Sequence, residues 1–117
     1  MAPERLKRNI ACLHLLSKAT KPQREALINT ASYDQIRCIC DCAQNFLNEN
    51  IPFTDTEIKQ LLRHQNLIRY LAASKNHRDI KHKKNLIIQN GGFLPLLLTP
   101  ILTVAGSLLA DAISGKL

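Results

Sequence analysis

The stretch SYDQIRCICDCAQNFL, Ser32 to Leu47, followed by NENIPFTDTE, Asn48 to Glu57, holds two helix starts with a stop between them. Ser32 with Gln35 three residues on is a capping box: each residue's side chain satisfies a backbone N–H of the other. Behind it, Ile36, Ile39, Cys40, Ala43, Phe46 and Leu47 recur at helical spacing and predict a helix from Tyr33 to about Leu47. Asn48-Glu49-Asn50-Ile51-Pro52 ends it, because turn formers and a proline do not continue a helix. Thr54 with Glu57 opens the next one, and Asp55 and Glu57 suit the positive end of its dipole. Ile58, Leu61 and Leu62, then Leu67, Ile68 and Leu71, extend that pattern with a bend near His64 to Asn66.

Working outward, Leu6, Ile10 and Leu13, with Ala11 and Leu16, mark an amphipathic helix from Glu4 to about Lys18. Thr20 is the N-cap of a short helix with Pro22 in its first turn, burying Ala26, Leu27 and Ile28 and ending near Asn29. A last helical stretch is expected from about His77 to Ile88. No segment alternates as a strand does, and no repeat is present. The apolar share is 45% with only 4% aromatic and no Trp, so the core must be aliphatic. Residues 1–90 thus read as an all-α basic domain, a small bundle of about five or six short helices.

At Gly91-Gly92 the character changes. Phe93 to Ala110 (FLPLLLTPILTVAGSLLA) carries no charge across eighteen positions, which reaches the lower end of the roughly 17–25 residues needed to cross a bilayer. Pro95, Pro100 and Gly106 interrupt it, and a monotonous membrane anchor would not carry two prolines. Two readings follow. In one, residues 91–117 are a Gly-Gly hinge and a separate apolar tail. That tail would offer Phe93, Leu94, Leu96, Leu97, Leu98, Ile101, Leu102, Val104, Leu108 and Leu109 to a membrane or partner. In the other, it packs as one more buried helix.

The chain has a formal net charge of +7, which favours an anionic partner. Arg63, Arg69, Lys75, Arg78, Lys81, Lys83 and Lys84 face a single acid, Asp79, so this segment alone carries +6. Such cations neutralise phosphates and release counterions, giving salt-sensitive binding with little sequence preference. No helix offers an Arg/Asn/Gln set for reading bases. Anionic lipid is the competing partner, and a merely solvated face the bland one.

Cys12, Cys38, Cys40 and Cys42 are expected to be reduced, buried small hydrophobes. Cys38 and Cys42 share a helical face while Cys40 points elsewhere, and zinc usually takes ligands from separated elements; no metal or cofactor is expected. There is no Gly-rich phosphate loop, no plausible carboxylate pair and no Cys/His pair with a third member, so an enzyme is not expected.

The junction Lys81-His82-Lys83-Lys84, Gly91-Gly92, Phe93-Leu94-Pro95-Leu96-Leu97-Leu98-Thr99-Pro100 and Ala105-Gly106 resembles the C-terminal half of the adenovirus core protein X (mu) precursor. Similar basic–Gly-Gly–apolar proteins occur in adenovirus-related elements of the Polinton/adintovirus group. The resemblance covers about a third of the chain. The basic segment here is short and Lys-rich where that family has a dense arginine tract, and a folded domain precedes it. The resemblance implies a virion core protein on double-stranded DNA, located in the virion and host nucleus, with capsid proteins and membrane as further contacts. It also implies processing by a viral maturation protease, with Gln89-Asn90-Gly91-Gly92 as the site and the cut before Phe93. An intracellular helical adaptor is the remaining alternative.

Overall fold

A computed structural model describes the backbone of residues 3–73 and 80–113, and the side chains of residues 4–73 and 80–104. The described residues form seven helices and no strand: α1 (Pro3–Lys18), α2 (Lys21–Asn29), α3 (Tyr33–Leu47), α4 (Asp55–Leu62), α5 (Gln65–Ala73), α6 (Ile80–Gln89) and α7 (Phe93–Ile113).

Three helices start on capping boxes. Thr20 with Gln23 opens α2, Ser32 with Gln35 opens α3 and Thr54 with Glu57 opens α4, each with both reciprocal hydrogen bonds in place. Satisfying two of the orphan N–H groups at a helix start fixes where the chain turns, so these boundaries follow from local chemistry. The end of α3 is equally local. Glu49 takes a left-handed conformation (φ 57°), its N–H donates to the Phe46 carbonyl at 3.2 Å, and Asn50 N–H donates to the Asn45 carbonyl at 3.0 Å. That is a Schellman arrangement with glutamate where glycine is usual.

The expected long helix from Thr54 onward is two. Arg63 N–H reaches back to Gln60 (3.3 Å) and His64 N–H to Leu61 (2.9 Å), three-residue bonds that tighten and close α4. The His64 carbonyl then accepts from Ile68 N–H at 3.0 Å, starting α5. This break, together with the apolar segment being helical, raises the count beyond the five or six expected.

Helix α3 is the centre of the molecule, packed against α1, α5, α6 and α7. Ile36, Cys38, Ile39, Cys40, Cys42 and Ala43 are all buried, and so are Asp41 and Asn45. Leu47, expected in the stripe, is exposed, because the stripe runs out at the end of the helix. On α1 the expected Leu6, Leu13 and Leu16 are buried and Ile10 packs against them, with only Ala11 of that set exposed; on α2 the face is rotated, Ile28 being buried and Ala26 exposed.

The first ten residues of the apolar segment belong to the same core. Phe93, Leu94, Leu97, Leu98, Ile101 and Leu102 are buried, with α7 packed on α1, α3 and α4. Pro95 sits in the first turn, where a missing N–H leaves no helical bond unmade. The radius of gyration, 13.7 Å, is close to the ~13 Å of one compact body of this length. An apolar helix buried by its neighbours removes from water the surface that a free tail would expose.

Candidate nucleic-acid interface

The charged side chains of interest fall into two groups, one paired and one exposed. On the α1 side, Arg5 Nη1 donates to Asp41 Oδ2 at 2.7 Å, Arg5 Nε to Asp34 at 3.4 Å and Arg8 Nη2 to Asp34 at 3.1 Å. Asn9 Nδ2 adds a bond to Asp34 at 2.8 Å. Donation from Arg8 and Asn9 holds the Asp34 carboxyl down at about 2, and Asp41 pushes the Arg5 guanidinium up. Both acids of α3 are therefore spent on arginines.

Outside these pairs, Arg63 at the end of α4, Arg69 on α5 and Lys81 on α6 are exposed. Arg63 also lies at a helix C-terminus, where the dipole favours a cation. Tyr70 of α5 meets His82 of α6 edge to face, with ring centroids 5.6 Å apart, so the two basic helices adjoin. Lys75 and Arg78 fall between them, outside the described residues.

Two of the expected phosphate contacts are otherwise engaged. Lys83 is buried (1% exposed), because Ile80, Lys83 and Ile87 follow the inward face of α6. Its ammonium lies by Cys40 of α3, where burial pushes the thiol up and the lysine opposes that shift. Lys84 is half-buried and its Nζ donates to the Asn29 carbonyl at 3.3 Å, covering the C-terminus of α2. Lys83 is thus not a surface cation, and Lys84 is partly committed to packing α6 on α2.

The residues expected to meet a membrane or partner are placed otherwise. Phe93, Leu94, Leu97, Leu98, Ile101 and Leu102 face the core, while Leu96 and Val104 are half-buried. The side chains of Leu108 and Leu109 lie outside the described set. Among the described residues no single helix is long and apolar enough to cross a membrane. Helices α6 and α7 taken together have the length and composition, but they bend by 103° between them.

That bend holds the expected processing residues. Gly92 is exposed, Gly91 half-buried and Phe93 fully buried, its ring tilted against His64 at 6.0 Å. Gly91 makes room: a Cβ there would come within 3.2 Å of Arg24 Nε. Nothing lies within 4 Å of a Cβ at Gly92.

Two clefts flank this corner. One, of about 330 Å³, is lined by Lys21, Arg24, Glu25, His64 and the Gly91-Gly92 backbone over a floor that includes Ile28 and Leu94. The other, of about 510 Å³, is lined by Leu62, Arg63, His64, Leu67, Tyr70 and Asn90 among others. His64 and Asn90 line both, so the clefts adjoin. Arg24 Nη1 donates to the Ala19 carbonyl at 3.0 Å, and its Nε is enclosed with no acceptor. Lys21 and Arg24 were not singled out from the sequence, although their spacing of three on one helix was a visible sign.

Among the described residues no group of three or more His, Cys, Asp or Glu side chains is placed to hold a metal ion. Cys38, Cys40 and Cys42 are buried free thiols and Cys12 is half-buried. Burial and the neighbouring Cys38 push the Cys12 thiol up, and the Cys42 thiol stands well above its usual value. Thiols held protonated in this way are poor nucleophiles.

No protein-family model, curated protein or solved structure matches the chain.

Proposed function

We propose that this chain is a non-enzymatic structural protein that associates with double-stranded DNA, in the role of a core protein in virions of an adenovirus-like virus or related element. One observation carries the reading. Arg63 at the end of α4, Arg69 on α5 and Lys81 on α6 are exposed, α5 and α6 meet through Tyr70 and His82, and both acids of α3 are paired with Arg5 and Arg8. A surface with cations in excess and no base-reading set binds phosphates by counterion release. Capsid proteins are the further partners in this reading, and the virion and host nucleus its location. Processing before Phe93 by a maturation protease would act on a chain not yet folded, since Phe93 is buried at the start of α7.

Fluorescence anisotropy with a labelled duplex across a salt series tests the proposal. Affinity should fall steeply and log-linearly with salt, and scrambling the duplex sequence should leave it unchanged. Binding that ignores salt would defeat the phosphate model.

A second reading, a membrane-active protein, draws on the combined length and apolar composition of α6 and α7. It requires α7 to leave the core. Dye release from anionic liposomes, accompanied by hydrogen exchange throughout Phe93 to Val104, would support it; intact liposomes with a protected α7 would exclude it.

A further inference from the structure

We infer that the phosphate-binding surface does not stop at α4–α6 but crosses the Gly91-Gly92 corner into the cleft of Lys21 and Arg24, which seats a backbone phosphate of the bound nucleic acid. The inference rests on the DNA reading above and extends it to residues that lie far from the basic segment in sequence.

Continuity is the first argument. The cleft holding Arg63 and the cleft holding Arg24 share His64 and Asn90, so a polyanion lying along one is led into the other. Charge is the second. The cations of this cleft, Lys21 and Arg24, outnumber its one acid, Glu25. The ion pairs Arg5–Asp34, Arg5–Asp41 and Arg8–Asp34 join α1 to α3 and involve neither Lys21 nor Arg24.

Positioning is the third. The Arg24 guanidinium is held by its Nη1 bond to Ala19 and by the enclosure of Nε against Gly91. A guanidinium already fixed in place loses less freedom when its remaining N–H groups take an oxyanion. A Cβ at position 91 would stand 3.2 Å from Nε, so glycine there leaves the guanidinium its place without a shift of a few tenths of an ångström.

The test is the salt dependence of duplex binding by the full chain and three variants, each lacking one positive charge: Lys21→Gln, Arg24→Gln and, as control, Lys7→Gln on the exposed face of α1. Loss of one phosphate contact lowers the slope of log affinity against log salt by about 0.9. Lys21→Gln and Arg24→Gln should each show that decrease, with several-fold weaker binding at low salt, and Lys7→Gln should match the parent chain. Should Arg24→Gln fail to fold, the exposed Lys21 position decides alone. A salt-dependent parent with unchanged Lys21→Gln and Arg24→Gln slopes overturns the extension and spares the DNA reading, as does an equal decrease in all three variants. A parent whose binding ignores salt overturns both.

Discussion

Ending the chain at Gly92 should abolish the fold rather than free a tail. The cut removes Phe93, Leu94, Leu97, Leu98, Ile101 and Leu102, all between 0% and 5% exposed. Burying one such side chain contributes about 1.5–3 kcal/mol, so the six together contribute about 9–18 kcal/mol. The whole stability of a domain is only ~5–15 kcal/mol. A milder version is Leu97→Ala, which opens a cavity in the core and should cost about 2–5 kcal/mol. Urea unfolding followed by far-ultraviolet circular dichroism measures both. The truncated chain should show no cooperative transition, and Leu97→Ala should lower the midpoint while leaving the slope unchanged. A truncated chain that melts cooperatively at the parent midpoint would refute the assignment of α7 to the core. So would a Leu97→Ala cost below about 0.5 kcal/mol, the size expected of a surface change.

Lys83→Met keeps the buried stem and removes the ammonium, so duplex affinity and its salt slope should stay at parental values, whereas Lys81→Gln should lower both; equal losses in anisotropy titrations would contradict the burial of Lys83. The Asp34 carboxyl is held at about 2 against its ordinary 3.8, so its contribution is complete above the ordinary value and is lost as pH falls toward 2. Thermal melts should therefore decline between those limits, and Asp34→Asn should flatten that part of the profile; an unchanged profile in the variant would show that the α1–α3 ion pairs do not couple to folding.

Much of the fold was legible because helix starts are local. Ser32/Gln35, Thr54/Glu57 and Thr20 with Pro22 place three helix starts to the residue, and Tyr33–Leu47 came out with the bounds its pattern implied. Side-chain destination was less legible, because it depends on which elements meet. Lys83 reads as one more cation in a basic run, yet the face of α6 that carries Ile87 turns it inward. The segment after Gly92 reads first as a separate tail and only second as a core helix, since apolar composition alone cannot say what covers it; the packing of α1 and α4 against α7 decides for the core. The Arg24 cleft joins residues some seventy positions apart, and no local pattern announces that meeting.

The position of Phe93 has one more consequence. A peptide bond broken between Gly92 and Phe93 would not by itself set the last helix loose, because what retains α7 is its interior contact with α1, α3 and α4 and not the covalent link. Severed there, the protein would behave as a self-complementing pair of fragments. Their separation would then be governed by dilution and by whatever solvent or surface competes for the released helix.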